Sequence, residues 1–370
     1  MNRPWILIGN PENRRVTSFQ EALVEQGQPP AKVVSWLDVI HRPEVLERLP
    51  REPAIVRIDS AGENFAVEQA LLTLGFEGAR RDGASTIHPR RVTELQHDHG
   101  RILCPRQHHH GFLVVLARLR ALFANRPDWR VLNPPDSIAE LFDKRLTSRR
   151  YEALGIPVPP RLDGVNGLDA LRAQPARSIF VKVTCGSSAS CLALYRRSRS
   201  GAEEIITTIE MARTGWYNTL RVRRYRDEAR IRAVLEFLLG EGSIVEAEVP
   251  KARLGRDLFD CRVVVIAGEP VFTVVRQSEL PITNLHLGGR RGDPDALRAA
   301  ALPDVIATAM ESCRKVWRAH RSFTIGVDLM YEVGFAGHRI IEANAFGDLL
   351  PNLTSGGLSV YAWQIRQASE

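Results

Sequence analysis

With 370 residues, 44% of them hydrophobic and 25% charged, the chain is long enough for two or three lobes around a sizeable core, and its composition excludes wholesale disorder. Fifty basic residues against forty-three acidic ones leave a formal charge of +7, which favours anionic partners in general (nucleotides, phosphates, carboxylates or nucleic acid) without selecting one. Residues 5–9 are too short an apolar run for a signal peptide, and the apolar stretch 111–123 is interrupted by Arg118 and Arg120, so no membrane association is expected. The five cysteines, Cys104, Cys185, Cys191, Cys261 and Cys313, form no CxxC pair; a reducing cytoplasm is the expected setting and no cysteine is given a catalytic role.

In chain order, apolar runs at 5–9, 32–36 and 54–58 alternate with helical stretches at 17–25 and 65–74, which Gly27 and Gly75 are placed to end. Such alternation predicts an α/β architecture, a Rossmann-like lobe with helices packed on a parallel sheet. A long helix over 111–123 follows, and Asn133-Pro134-Pro135 sets a boundary, giving a first unit of 1–135. A second unit, 136–242, opens with a helix through Lys144 and Tyr151 and the turn Gly155-Ile156-Pro157-Val158-Pro159. It continues with a strand over 179–183, a small-residue loop from Cys185 to Cys191, a polar hairpin tip over 196–204 and a helix over 227–239. The third unit, 243–370, reads as hairpins: a strand over 243–249, strands 262–266 and 271–276 around Gly268-Glu269-Pro270, a helix near 302–318, and strands 324–333 and 339–343 around 334–338.

Three groups of residues carry chemistry. Glu342 and Asn344 share one face of a strand by its two-residue period, and a five-residue loop at 334–338 would set Asp328 opposite Asn344. Two carboxylates and an amide oxygen on one patch suit Mg²⁺, an oxygen-seeking ion that commonly bridges to phosphates; the alternative is a solvent-facing polar strip, set here between apolar neighbours such as Val327 and Ile341. Second, Lys182 lies inside an apolar strand, where an unpaired charge is costly, just before Gly186-Ser187-Ser188, whose amides and hydroxyls could fold over phosphates. Third, Asp260-Cys261-Arg262 faces Arg276 on the partner strand. An odd-length turn would set the two arginines directly opposite each other, an arrangement that repels unless an anion lies between them.

As an ordered set, Asp143-Lys144, Gly155 to Pro159, Val181-Lys182 with Gly186-Ser187-Ser188, Ile244 to Glu248, Asp260 to Arg262, Arg276, Gly326-Val327-Asp328 and Ile341 to Asn344 resemble the ATP-grasp superfamily, nearest to its glutathione synthetase and ribosomal-protein glutamate ligase branch. The resemblance covers residues 136–357. It implies a preceding α/β domain followed by a two-part ATP-grasp unit, 136–242 as the lid and 243–370 as the body with the metal site. It further implies that Lys144 and Lys182, with Ser187 and Ser188, hold ATP phosphates, and that Glu246, Ala247, Glu248 and Val249 form the adenine-reading hinge. Asp328, Glu342 and Asn344 would bind Mg²⁺, Arg262 and Arg276 would face the transferred phosphate, and Asn284, His286, Gly288 and Gly289 would line the acceptor site. The activity so implied is ATP-dependent joining of a carboxylate to an amine, small molecules or a peptide, through an acyl phosphate with release of ADP and phosphate. A small-molecule kinase and a nucleotide-binding module without turnover are the alternatives. This chain departs from the family in its glycine-poor lid loop, residues 185–191.

Other features are read as structural. His97, His99 and His108-His109-His110 are expected in a polar loop rather than around zinc, because three consecutive histidines cannot all turn inward. The arginines between Arg221 and Arg232 alternate with apolar and acidic residues as a solvated helix face does, so no nucleic-acid partner is expected. The loops 10–15 and 59–64 follow strands, where substrate contacts of α/β sheets gather.

Overall fold

The computed structural model describes residues 3–49, 51–186 and 190–370. Ser187 and Ser188, expected to hold phosphates, lie outside the described residues. Strands β1 (Trp5–Ile8), β2 (Lys32–Val34), β3 (Ile55–Ile58) and β4 (Arg130–Val131) form a parallel sheet in the order β2-β1-β3-β4. β1 is buried along its whole length, as parallel strands covered on both faces are. Its alternate residues enter two cores, Ile6 and Ile8 one, Trp5 and Leu7 the other.

The expected Rossmann-like alternation is present, with three local differences. The last two residues of the 32–36 run are not strand: Ser35 caps a helix, Trp36–His41, its hydroxyl accepting from the Asp38 amide. Gly75 does not end its helix, which runs Phe65–Arg81. A Cβ on Gly75 would stand 1.8 Å from the Gln107 carbonyl oxygen, and one on Gly111 1.9 Å from that of Leu71, so the two glycines let this helix cross Pro105–Ala124 at close range. That second helix begins six residues before the expected start and carries His108, His109 and His110 in its first turns, not in a loop. His110 pairs with Asp82 at 3.3 Å and His109 stacks on Phe142.

The middle of the chain folds as an antiparallel sheet in the order β8-β7-β6-β5-β9, from β5 (Ser178–Val183), β6 (Leu192–Arg197), β7 (Glu203–Ala212), β8 (Gly215–Tyr225) and β9 (Ser243–Ala247). Its own core includes Ile179, Val181, Tyr195, Ile205, Leu235 and Val245, with the helix Glu228–Gly240 packed on it. The long β7–β8 hairpin corrects the reading of the arginines from Arg221: Arg221, Arg223 and Arg224 lie on strand β8, and only those beyond Asp227 lie on a helix. Glutamates absorb several of them, as in the Arg223–Glu210 and Arg224–Glu204 pairs.

The last part is a second, larger antiparallel sheet. β10 (Arg253–Leu254), β11 (Asp257–Ile266), β12 (Glu269–Ser278), β13 (Arg290–Arg291), β14 (Thr324–Tyr331) and β15 (His338–Asn344) run in the order β13-β12-β11-β14-β15, with β10 beside β11. The closing helix, Val360–Ser369, returns to the first lobe, where Tyr361 meets Phe19 edge-on. The first lobe and this sheet share cores: Trp5, Leu7 and Phe19 pack with Val264, Phe272 and Tyr361, while Ile6, Val56 and Phe112 belong with Phe259, Val263 and Ile325. Among the described residues, no helix is long and apolar enough to cross a membrane.

Candidate active site

The two antiparallel sheets are joined by the segment after β9, and a cavity of about 420 Å³ opens between them. Phe180, Lys182 and Leu192 of the middle sheet line one wall. Asp260, Arg262, Arg276, Asp328, Met330 and Glu342 of the larger sheet line the other, and Glu246 to Lys251 close the back.

β5 pairs with β9 so that Phe180 lies opposite Glu246 and Lys182 opposite Ile244. The Glu246 carboxylate meets Lys182 Nζ at 2.7 Å. Burial alone would depress the Lys182 ammonium, but Glu246, with Glu342 and Asp328 beyond it, more than offsets that and holds its pKa raised. Lys182 is therefore a charged lysine at the cavity wall. In the hinge, the Ala247 and Glu248 amides already donate to the carbonyls of Pro160 and Ser178, each at 2.9 Å, and the Glu248 carboxylate holds Arg196. Lys144 sits next door, in a small adjoining cavity shared with Lys182, Glu246 and Glu342. Its ammonium donates to the Gly186 carbonyl and lies 3.6 Å from Glu342 Oε2, so it joins the root of the loop after β5 to the opposite sheet.

On the larger sheet the register differs from expectation. Asp328 lies opposite Glu342, and Asn344 opposite Gly326: the turn already pairs Tyr331 with His338, three positions short of expectation, and the irregularity at Ile341, which has no partner, takes one of them back. The offset from the expected pairing is two residues, so Asp328, Glu342 and Asn344 keep a common face. The arginines are also not opposite each other. Arg276 faces Asp260 and Arg262 faces Val274 on one side and Asp328 on the other, with a bulge at Val264/Val265. The Asp328 carboxylate lies between the two guanidinium groups. Arg262 Nε and Nη2 reach the two oxygens of Asp328 at 2.6 and 3.1 Å, and Arg276 Nη2 lies 3.0 Å from Oδ1. Arg276 is anchored on its other side by Asp260 at 2.7 Å, which also accepts from Lys251 at 3.0 Å and from Thr283.

The donor set fits a magnesium ion. Asp328 and Glu342 are carboxylates directly opposed on neighbouring strands. Burial, with the Glu342 charge adding to it, pushes the Asp328 carboxyl up despite both arginines. Glu342, although burial would raise it, is held low by Lys144, Lys182, Arg262 and Arg276. A divalent cation beside the pair would relieve that repulsion with oxygen ligands alone. Among the described residues, no group of three His, Cys, Asp or Glu side chains could hold a metal, so phosphate and water oxygens would have to complete the shell. Asn344, whose amide donates to the Gly326 carbonyl at 3.4 Å, is the third expected ligand and borders this pair without lining the cavity.

Of the expected acceptor residues, Asn284 lines the cavity, while His286, Gly288 and Gly289 do not. Asn284 caps the short turn Leu285–Leu287 by accepting from the His286 amide, and Gly288 closes it at φ +83°. Ile282 and Leu287 pack against Leu192 and Leu194, clasping this loop to the middle sheet. The loops 10–15 and 59–64 bond mainly to one another: Asn10 donates to the Ala61 and Gly62 carbonyls and Asn13 to Glu63. Sequence reasoning passed over Lys251, Thr283 and Asp348, all in connections where no periodicity marks a side chain; the two local signals were that Lys251 lies two residues past the hinge and Asp348 four residues past Asn344.

No protein-family profile and no curated protein matches the sequence. Solved structures do match along the whole chain. The ATP-grasp ligase PsnB complexed with its minimal precursor aligns at TM-score 0.55 and 14% identity over 100% of both chains. D-cycloserine synthetase DcsG aligns at 0.54 and 16% over 99% of both, and the macrocyclase MdnC from Microcystis aeruginosa MRC, bound with precursor peptide MdnA, at 0.51 and 11% over 98% of both. PsnB has also been solved with Mg and ADP, and matches in that form at TM-score 0.52. The likeness runs over the whole chain and shows its architecture: the chain has the ATP-grasp fold.

Proposed function

We propose that the protein is an ATP-dependent carboxylate–amine ligase that works through an acyl phosphate. The observation that carries this reading is the convergence in one cavity of Lys182, the hinge from Glu246 to Val249, Arg262, Arg276 and the carboxylates Asp328 and Glu342. The base of ATP would lie among Phe180, Leu192 and Met330 against the hinge, with its phosphates between Lys182 and Lys144 on the lid side and the arginine–carboxylate face on the other. Asp328, Glu342 and Asn344 would hold magnesium, which when bound supplies charge neutralisation of phosphate oxygens. Lys182 is kept charged and Arg276 is fixed between Asp260 and Asp328, so both can meet developing phosphoryl charge without reorganising. The donor carboxylate would approach the γ-phosphate beside Arg262, and the mixed anhydride formed there would pass its acyl group to an amine. None of these steps needs a side-chain nucleophile, and the cysteines Cys261 and Cys313 are buried with thiols pushed far above their ordinary value by burial. The donor and acceptor could be small molecules or a peptide, as the precursor complexes of PsnB and MdnC illustrate for those proteins. In this reading residues 136–242 act as lid and 243–370 as body, and placement in the glutathione synthetase branch rests on the motifs alone.

An ADP-release screen of carboxylates paired with amines tests the reading. Release that requires both partners is expected. Release driven by an alcohol, with no carboxylate present, would favour a kinase instead.

A further inference from the structure

Both cavity arginines share one carboxylate, Asp328, and each has a second of its own. For Arg276 it is the buried Asp260, at 2.7 Å. For Arg262 it is Asp348, whose Oδ2 accepts from Nη1 at 3.2 Å, on the side of the guanidinium away from Asp328. Asp348 does not line the cavity and is about one third exposed. It is well supported where it stands: its Oδ1 accepts from the Leu349 amide at 2.8 Å, and Arg15 donates to the nearby Phe346 carbonyl at 3.0 Å. Two glycines make room for the contact. Gly347 turns at φ +61°, and a Cβ on Gly326 would stand 3.0 Å from the Gly347 oxygen and 3.3 Å from Arg262 Nη1.

We propose that Asp348 is a positioning residue for Arg262, anchoring its guanidinium when Asp328 turns to a metal ion; the inference rests on the ligase reading. Both oxygens of Asp328 accept from arginine side chains in this structure. A cation that binds Asp328 draws on the same oxygens and repels the guanidinium groups. Arg276 then keeps Asp260, and Arg262 keeps Asp348. Without Asp348, Arg262 has only Asp328 to hold and competes with the metal for it. The arginine that faces the transferred phosphate would be out of place whenever the metal is in place.

The test measures Mn²⁺ affinity in the presence of ADP, by calorimetry on the full-length protein, for the wild type, Asp348→Asn, Arg262→Gln and the double variant. Asp348→Asn is expected to weaken Mn²⁺ binding roughly three- to tenfold, and to have no such effect in the Arg262→Gln background. An equal loss in both backgrounds would mean that Asp348 acts only as a nearby negative charge, and would overturn the proposal. So would unchanged affinity in Asp348→Asn. Asp348→Glu, which keeps the charge, should restore part of the affinity; if Asp348→Asn fails to fold, Asp348→Glu and its Arg262→Gln double variant carry the same comparison, with a smaller loss expected only where Arg262 is present. If the wild type binds no Mn²⁺ with ADP, the ligase reading itself fails first.

Discussion

Glu342 carries the site's charge balance at the scale of one residue. It opposes Asp328 directly, lies 3.6 Å from Lys144 and is held ionised by four surrounding cations. Glu342→Gln keeps the shape and removes the charge, so turnover should fall by at least about a hundredfold, with the melting temperature within a few degrees of the wild type. A large loss of stability would mean that the carboxylate is structural. Lys182 makes a second case. Its ammonium is mostly buried beside Glu246, whereas Arg199 is exposed at the β6–β7 turn. Lys182→Ala should weaken ATP binding roughly tenfold to a hundredfold, the worth of one charge-assisted bond to phosphate, and Arg199→Ala should leave it unchanged; equal affinities would remove Lys182 from the site. These residues were legible in the sequence because face follows parity. The expected partners of Asp328 and of Arg262 were each wrong by two positions, and a two-residue slip in a strand leaves every side chain on its face. What parity cannot supply is the partner itself: that Asp328 sits between the arginines follows from the pairing of β11 with β14, which sets Arg262 opposite Asp328, and the pairing of strands so far apart in the chain leaves no mark in the hydrophobic pattern.

Among the elements, the helix Pro105–Ala124 departs most from the sequence reading. Gly75 and Gly111 looked like a stop and a start, and the structure uses both as the contact of two crossing helices. The intrinsic preference of glycine for helix ends was outweighed by the space its missing Cβ leaves. The same crossing draws the histidines onto the helix. Burial depresses His108 and His109 to about 4, so in the folded protein both stay neutral at pH 5, while in the unfolded chain they take up protons below about 6.5. The unfolded state then binds more protons across that window, and stability is full above pH 6.5 and declines as pH falls toward 4. Because both rings are only partly shielded, each should contribute roughly 1–3 kcal/mol of this loss. Urea unfolding at pH 7 and pH 4.5 checks it, with His108→Asn expected to flatten the difference and a pH-independent midpoint in the wild type contradicting the assignment.

Over the whole molecule, the arrangement of cores says which parts can move. The first lobe and the larger sheet interleave their apolar side chains in two common cores, while the middle sheet keeps a core of its own with the helix Glu228–Gly240. The middle sheet is tied to the rest through the hinge, the Ile282–Leu287 clasp, the contacts of residues 100–102 with Trp216, Tyr217 and Asn218, and the bonds of Arg106 to Gly240 and Glu241. A body so attached should open at lower free energy than the shared cores. Hydrogen exchange is therefore expected to show β5, β6 and β9 exchanging together ahead of β1 and β14, and slowing when Mg-ATP is added. Exchange that is equally slow in all five strands, with or without nucleotide, would mean a preformed cleft that does not close. The sequence marked the alternation of the first lobe and the hairpins of the last. It did not mark that these two, far apart in the chain, build one core, because shared burial is a property of pairs of elements that no local window contains.

The central claim is that a substrate carboxylate is phosphorylated by ATP, and oxygen transfer tests it most directly. With a carboxylate from the ADP-release screen labelled with ¹⁸O, and its amine partner, ligation through an acyl phosphate moves one labelled oxygen into the inorganic phosphate released. Mass spectrometry of that phosphate should find one ¹⁸O for each amide formed. Phosphate free of label, while amide is still produced and ADP released, would contradict the account.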